Sequence, residues 1–354
     1  MTYSVYQHWD RLKVCAVGKS YPPELYDYIK NEKVRKVFYK MAEETEEDYQ
    51  KLIKLLETFD IKTVRPNMSK RLEESERGIK NNTFIPRPSE MQPRDYCIML
   101  GEKFYYGGIV DSNRPITDLL TQQGNVVERA PEGRSWATAE VNAWQFLNAA
   151  MISRIGRDLI VGTPPLLGEA INMGDTGHVE KELQDKLPEY RIQKIDTQGH
   201  TDGTFCPVVP GLIISNQEPL QYGKTFPGWE VVALPKEMDK VQPFLEMKYK
   251  NAGKWWVPGQ ELNDDFTSYV EQWMSHWVGF VEESVFDVNM LVIDKHNVIV
   301  NGYNKTVFDA FSRYNITPHI CNFRHRYFWD GGLHCITTDL HREGVMEDYF
   351  PDNG

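Results

Sequence analysis

The sequence has few cysteines, no long apolar run and no excess of positive charge. Its five cysteines are odd in number, widely scattered and never arranged as C-x-x-C, which argues against a disulfide framework or a zinc site. No apolar stretch reaches the length of a membrane span, and the N-terminus lacks the apolar core of a signal peptide. The formal net charge of −11 argues against nucleic acid or an anionic membrane as the main partner. We therefore expect a soluble, cytoplasmic protein.

The chain does contain enough apolar sequence for a sizeable core, since 41% of its residues are hydrophobic. Its 354 residues allow one large domain or two, but no low-complexity linker divides them. We therefore expect a single domain spanning residues 1–354. The acidic balance also suits a cationic substrate, although many cytosolic proteins are acidic.

A helix followed by a turn and an extended segment recurs along the chain, in LIKLLETFDIKTVRP, VEKELQDKLPEYRIQKID and TVFDAFSRYNITPHICN. Strand–turn–strand candidates lie between these units, and further strands are predicted at Arg11 to Val17 and Asp158 to Gly162. About five such units can be counted, which favours a radially repeated α/β propeller. Alternating strands and helices would equally suit a doubly wound sheet, and periodicity alone does not choose between them.

The most acidic stretch, EETEED at 43–48, has the pattern of a helix start. Thr45 followed by Asp48 resembles a capping box with Asp in place of Glu. Apolar residues then recur at helical spacing from Tyr49 to Phe59. The sequence therefore predicts a helix that begins near Thr45 and exposes its charges to water.

The segment GHTDGTF at 199–205 is a first candidate for chemistry. In an extended chain, His200, Asp202 and Thr204 would point to one face, because side chains alternate with period two. A general base would then lie beside a carboxylate able to bind a cation. Taken alone, the same pattern is also typical of a surface pair or a structural hydrogen bond.

The segment DGGLHCITTD at 330–339 is a second candidate. Paired glycines give the backbone unusual conformations and let a substrate approach, so Cys335 is well placed as an exposed nucleophile. A free cysteine is as often a small buried hydrophobe. Cys206 is a rival, on the predicted face of His200, but it lies in mid-strand before Pro207 and is interpreted as packing.

A third segment, Pro93-Arg94-Asp95, precedes the apolar run YCIML. Asp95 at the start of that strand could supply a second carboxylate. As an isolated feature it is ordinary loop sequence.

Six segments in this order resemble the glycine amidinotransferase family, which includes the inosamine-phosphate amidinotransferases. They are PRDYCIMLGEKF, AAMISRIGRDLIV, HTDGTF, VVPGLIISN, VNMLVID and GGLHCITTDLHREG. The similarity runs from about residue 93 to 344 and is faint before it. It implies the pentein fold, a five-bladed α/β propeller of pseudo-fivefold ββαβ units around a central active site. Members are often dimers, so the resemblance favours a homodimer.

The resemblance implies a reaction in which a cysteine thiolate attacks the guanidinium carbon of arginine and an acceptor amine then takes the amidino group. By position, Cys335 is the nucleophile and His200 the acid/base, while Asp95 and Asp202 hold the guanidinium through charge-assisted hydrogen bonds. A histidine is suited to protonating the leaving amine. No metal or other cofactor is expected.

Three positions depart from the family pattern. Asn148 replaces the aspartate that partners the catalytic histidine; an amide can still orient an imidazole but cannot stabilise its cation by charge, and Glu140 or Asp158 could compensate. Pro219 takes the place of an arginine that holds the donor's carboxylate, so the donor could be another guanidino compound. Thr197-Gln198-Gly199 replaces a substrate-facing Asn-Pro-Met, so glycine is not assumed as acceptor.

Two other functions are open on these residues. In a deiminase-type hydrolase, water would replace the acceptor amine on the same fold. In a catalytically weakened pentein, the site would only bind a guanidino ligand or a protein partner, as the changes at Asn148 and Pro219 could indicate.

Overall fold

In the part of the chain that the structure describes, the strands form five separate three-stranded sheets. The computed structural model describes residues 2–70, 72–73, 89–107, 110–129, 149–163, 184–197, 200–217, 222–235, 255–274 and 283–351. Asn148, Pro219 and Glu140 lie outside these ranges. The choice that periodicity left open is therefore resolved: the strands form five small sheets rather than one doubly wound sheet.

Each sheet is one blade, and the blades are numbered in chain order. Their strands are, for blade 1, β1 (Arg11–Val17), β2 (Lys62–Val64) and β15 (Thr337–Glu343); for blade 2, β3 (Cys97–Leu100), β4 (Lys103–Tyr106) and β5 (Val126–Arg129); for blade 3, β6 (Ile152–Ile155), β7 (Asp158–Thr163) and β8 (Arg191–Asp196); for blade 4, β9 (Phe205–Val209), β10 (Leu212–Ser215) and β11 (Glu230–Ala233); for blade 5, β12 (Leu291–Asp294), β13 (Asn297–Val300) and β14 (Thr317–Ile320).

The blades repeat one topology. In blades 2 to 5, an antiparallel hairpin is followed by a third strand that pairs parallel to the second. Blade 1 is assembled from both ends of the described chain, because β15 pairs antiparallel with β1 and places Cys15 opposite Asp339. A parallel pair needs a long crossover, which explains why helices follow several of the hairpins.

The α-helices in the described ranges lie between or beside the blades. They are α1 (Glu32–Glu57), α2 (Val110–Gln122), α3 (Tyr222–Thr225), α4 (Asp264–Trp273), α5 (Glu283–Val288), α6 (Lys305–Arg313) and α7 (Arg326–Trp329). None of these helices is long and apolar enough to cross a bilayer.

The hairpin turns follow from the turn residues in the sequence. Gly211 between β9 and β10 has φ +92°, a left-handed conformation open to glycine at little cost. In blade 5, the Asp294 carboxylate accepts a hydrogen bond from the His296 amide at 2.7 Å, which closes the Asp-Lys-His-Asn turn. The predicted strand at Arg11 to Val17 has the same bounds as β1, and the one from Asp158 extends one residue further than expected.

Helix α1 begins much earlier than its acidic stretch predicts. Its N-cap is Asn31, whose side chain accepts from the amides of Lys33 and Val34. Thr45 and Asp48 are buried inside the helix, where Thr45 Oγ1 accepts from the Trp329 indole and Asp48 from Arg324. The capping-box interpretation is therefore wrong, because tertiary partners bury these polar side chains in mid-helix.

Candidate active site

Five short segments, one leading into the first strand of each hairpin and one leading into β15, supply the candidate site or adjoin it. They are the 3-10 turn Pro93–Asp95 before β3, the 3-10 turn Ala149–Met151 before β6, the 3-10 turn Thr201–Gly203 before β9, Asn289 before β12, and the Leu333 to Ile336 turn before β15. Each blade thus contributes a segment at the same position of its repeat. The pseudo-fivefold fold is what brings residues so distant in sequence together.

The His200 segment was predicted to be extended, but the structure shows that it is not. Thr201–Gly203 is a 3-10 turn, and β9 begins only at Phe205. Thr201 Oγ1 donates to the Ala150 carbonyl at 2.6 Å, and Thr204 Oγ1 donates to the His200 carbonyl at 3.0 Å. The turn buries Asp202 and leaves His200 partly exposed, so the two side chains do not share one strand face.

The nucleophile turn also differs from the expectation of two conformationally unusual glycines. The residue with left-handed backbone conformation is Asp330, with φ 57°, whereas neither Gly331 nor Gly332 has a positive φ. A Cβ on Gly331 would lie 2.7 Å from Gln92 Nε2, and one on Gly332 would lie 2.6 Å from Asn289 Oδ1. The glycines are needed because two amide side chains pack directly against the backbone.

Cys335 is buried rather than exposed, with 8% of its surface accessible. Its Sγ lies 3.3 Å from Asp202 Oδ2 and 3.0 Å from Asn289 Nδ2. Burial raises the pKa of the Cys335 thiol well above its ordinary value, and the negative charges of Asp202 and Asp95 raise it further. The hydrogen bond from Asn289 acts in the opposite direction.

Asp202 links the thiol to a second histidine. His334 Nδ1 lies 2.8 Å from Asp202 Oδ2, the same oxygen that faces Cys335. Burial opposes ionisation of Asp202, but the hydrogen bond and charge of His334 outweigh it and lower the Asp202 pKa. Asp202 Oδ1 is buried and has no hydrogen-bond partner in the described part of the chain. One oxygen of this carboxylate is therefore fixed while the other is available to a ligand.

His200 and Asp95 form the more open part of the site. His200 Nδ1 lies 3.8 Å from Asp95 Oδ1, and their side chains are 37% and 31% exposed. Asp95 ends its 3-10 turn just before β3, as the sequence predicts. Because the charge of Asp95 acts on the Cys335 thiol and that of His200 on Asp202, the four residues share one electrostatic environment.

The remaining predictions have mixed outcomes. The proposed compensation by Asp158 is wrong, because this carboxylate is fully buried and bound by Arg191 and Gln193. Cys206 lies in β9 within a hydrophobic cluster, and burial raises its thiol pKa to about 12, which agrees with a packing role. The role of Asn148 stays a prediction, since it precedes the described turn Ala149–Met151.

Sequence reasoning missed two residues of the site, His334 and Asn289. His334 is adjacent to the nucleophile, but adjacency did not indicate a bond to Asp202, 132 residues away. Asn289 belongs to VNMLVID, one of the six segments of the family resemblance, but the resemblance assigned no site residue to it. Their partners are distant in sequence, so no local pattern reveals them. Within the described ranges, no group of three or more His, Cys, Asp or Glu is arranged to hold a metal ion.

Comparison with known proteins supports the resemblance found in the motifs. The L-arginine:L-lysine amidinotransferase of Pseudomonas savastanoi pv. phaseolicola is 23% identical over 258 residues, which cover 70% of this chain and 59% of that protein. The chain therefore spans less than two thirds of the length of this relative. No protein-family model matches the present chain.

Two solved amidinotransferases share the fold along almost the whole chain. SxtG of Microseira wollei, in saxitoxin biosynthesis, superposes with a TM-score of 0.64 at 18% identity and covers 98% of this chain and 99% of its own. The inosamine-phosphate amidinotransferase StrB1 of Streptomyces griseus gives 0.63 at 17%, with the same coverage. An agmatine deiminase of C. jejuni and the cyanobacterial arginine dihydrolase ArgZ also have this architecture. The chain has the five-bladed pentein fold and is similar in sequence to amidinotransferases.

Proposed function

We propose that this chain, with its pentein fold and its similarity to amidinotransferases, moves an amidino group from arginine or a related guanidino donor to an amine through a covalent amidino-cysteine at Cys335. The observation that carries the proposal is a buried thiol surrounded by the negative charge of two carboxylates, Asp202 and Asp95. The name of the Pseudomonas relative pairs arginine with lysine, which supports an arginine donor and an amine acceptor.

The carboxylates explain why a guanidinium would switch on the thiol. In the free protein burial, together with their charges, keeps Cys335 protonated, because a thiolate that is desolvated and lies beside two anions is unfavourable. A bound guanidinium would neutralise those charges and lower the thiol pKa at the moment when its electrophilic carbon is in place. Asp202 Oδ1 can accept one of the guanidinium N–H groups.

The first half-reaction transfers the amidino group to the enzyme. Cys335 gives its proton to His200, and the thiolate adds to the guanidinium carbon to form a C–S bond. The C–N bond to the donor's amine then breaks as His200 returns that proton to the departing nitrogen. Ornithine leaves if arginine is the donor, and an amidino-cysteine remains.

The second half-reaction reverses these roles. The acceptor amine adds to the amidino carbon and gives a proton to His200, the C–S bond breaks, and Cys335 recovers its proton. With water as the attacking group the same chemistry would be hydrolysis. Transfer and hydrolysis therefore differ in the access of water to the intermediate, and the likeness to amidinotransferases favours transfer.

The test combines a product assay with mass spectrometry. Labelled arginine and a panel of amines should yield ornithine and a new guanidino compound, and arginine alone should leave one amidino group on the peptide that contains Cys335. Citrulline as the sole product with every amine would contradict transfer and favour a hydrolase. Absence of both adduct and product would favour a binding protein.

Two cysteine variants identify the nucleophile. Cys335→Ala should abolish turnover and the adduct, because no other described thiol touches Asp202. Cys206→Ala is the matched control; it removes a buried thiol of β9 and should largely preserve turnover. The reverse result would overturn the choice of nucleophile.

The cellular compartment and the oligomeric state are part of the same proposal. All five cysteines are free, which fits a reducing compartment such as the cytoplasm. The chain is expected to form one pentein domain and, by analogy with the family, a homodimer. Size-exclusion chromatography with light scattering tests the dimer directly.

A further inference from the structure

Asn289 is held rigidly at the start of blade 5, next to the candidate nucleophile. It follows α5 directly and is 1% exposed. Its backbone N–H donates to the Val285 carbonyl at 3.1 Å, and its backbone carbonyl accepts from Asn301 Nδ2 at 3.0 Å. Both sides of its peptide backbone are thus fixed, so the position of its side chain is well determined.

The side-chain oxygen of Asn289 binds the nucleophile turn. Oδ1 accepts from the backbone amides of His334 at 3.0 Å and Cys335 at 3.1 Å. A Cβ on Gly332 would lie 2.6 Å from this oxygen, which explains why this position of the turn has no side chain. The contact fixes the backbone at the residue that carries the thiol.

These two bonds also determine which way the amide faces. Backbone N–H groups can only donate, so the atom they meet must be the oxygen. Nδ2 therefore points the other way, toward the Asp202 carbonyl at 3.1 Å and Cys335 Sγ at 3.0 Å. A flipped amide would leave two donors facing the nitrogen and two acceptors facing the oxygen, so the N–H···S contact is required by the network.

The position of Asn289 in the repeat agrees with a role in the site. Asp95, Asp202 and Cys335 occupy the segments that lead into the first strands of blades 2 and 4 and into β15, and Asn289 occupies the same position in blade 5. It is the residue of that blade that touches the sulfur.

We propose that Asn289 is a further catalytic residue, whose side-chain N–H stabilises the Cys335 thiolate when it forms and again when it leaves the amidino intermediate. The assignment rests on Cys335 being the nucleophile of the proposed function. An amide does not titrate, so this stabilisation is present at every pH. It is needed here because the other groups near the sulfur, Asp202 and Asp95, both oppose the thiolate.

The sharpest test is Asn289→Asp, which keeps the shape and the acceptor oxygen but replaces the donor with a carboxylate oxygen beside the sulfur. The folded protein is alkylated with iodoacetamide over a range of pH without substrate. The rate at Cys335 is then measured by digestion and peptide mass spectrometry. We expect the midpoint to rise by at least about one pH unit, so that alkylation below the midpoint slows about tenfold or more.

Asn301→Asp is the matched control. Asn301 is also buried and belongs to the same network, but its amide donates to the Phe286 and Asn289 carbonyls and not to the sulfur. It should lower the melting temperature with little change in the alkylation midpoint. An unchanged midpoint in Asn289→Asp, or an equal rise in Asn301→Asp, would overturn the proposal.

Asn289→Ser decides the question if the aspartate variant does not fold. The serine removes the N–H···S contact without adding charge, so a smaller rise of the midpoint is expected, and no rise would contradict the proposal. Because alkylation needs no substrate, it is independent of the proposed function. A protein that forms no amidino adduct but shows these shifts would lose the transferase assignment and keep the role of Asn289 toward the thiol.

Discussion

Two charged clusters lie near the nucleophile turn, and they differ in how their charges are used. The carboxylate cluster consists of Asp95 and Asp202 around Cys335. The arginine cluster consists of Arg94, Arg154 and Arg342 around Asp339, all of them at most 2% exposed. Neighbouring residues take part in different clusters, since Arg94 and Asp95 are consecutive.

The arginine cluster is an internal structural tie. The Asp339 carboxylate forms ion pairs with the guanidinium groups of Arg94, Arg154 and Arg342, at N···O distances of 2.7, 2.6 and 2.7 Å. The guanidinium groups also donate to carbonyls in other blades, including Met99 and Val292. Strands of several blades are thereby joined through one carboxylate.

The carboxylate cluster is paired with histidines instead of arginines, since His200 lies near Asp95 and His334 near Asp202. Against the effect of burial, the hydrogen bond and charge of His334 lower the pKa of Asp202, and the second oxygen of Asp202 has no hydrogen-bond partner in the described part of the chain. Removing one partner of a buried ion pair costs stability, because the remaining charge is left uncompensated, whereas charges arranged for an external cation contribute to function at some cost in stability. The comparison predicts opposite responses to the same aspartate-to-asparagine change.

The largest effect is expected for Asp339→Asn. Removing this charge leaves three buried guanidinium groups without their counter-ion, which should lower the free energy of unfolding by about 3–5 kcal/mol. Denaturant unfolding measures the loss. Asp158→Asn is the control, since that buried carboxylate pairs with a single arginine, Arg191, and should lose less. Equal losses in both variants would show that Asp339, with its three arginine partners, contributes no more to stability than Asp158.

A second, smaller effect separates function from stability at Asp202→Asn. Turnover should fall about 100-fold or more, as for loss of one preorganised electrostatic contact. The thiol pKa should fall at the same time, because a like charge beside the sulfur is gone, so alkylation of Cys335 at neutral pH should become faster.

Asp95→Asn provides the comparison for this result. It should change turnover and alkylation in the same directions but by less, because the Asp95 side chain is 31% exposed and water screens its charge. Slower alkylation in Asp202→Asn would mean that the carboxylate assists the thiol instead of opposing it.

The sequence predicted the parts of this molecule that local patterns specify. Among them are the strand Arg11–Val17 and the position of Asp95 directly before a strand. The ordered motifs implied the five blades. What the sequence did not predict depends on contacts between distant segments: Asn289 meets Cys335 across 46 residues, and Trp329 binds Thr45 across 284. No periodicity encodes such pairs.

The smallest predicted effect concerns His8, a neighbour of Arg154 in the arginine cluster. Its Nε2 faces the Ser153 hydroxyl at 3.0 Å and accepts from the Arg154 amide at 3.4 Å, so a proton there would meet another N–H. Burial, together with the charges of Arg154 and His334, lowers the His8 pKa well below its ordinary value. The folded protein therefore binds a proton less readily than the unfolded chain.

The consequence is a loss of stability as pH falls below the unfolded histidine pKa of about 6.5. His8 alone should contribute about 1.4 kcal/mol per pH unit between pH 6 and 5. Asp339 adds little in this window, because the unfolded aspartate pKa of about 3.9 lies below it and the pKa of Asp339 in the folded protein is lower still. His8→Gln should reduce the slope of unfolding free energy against pH by that amount. An identical slope in His8→Gln and the parent protein would show that His8 already accepts its proton in the folded state.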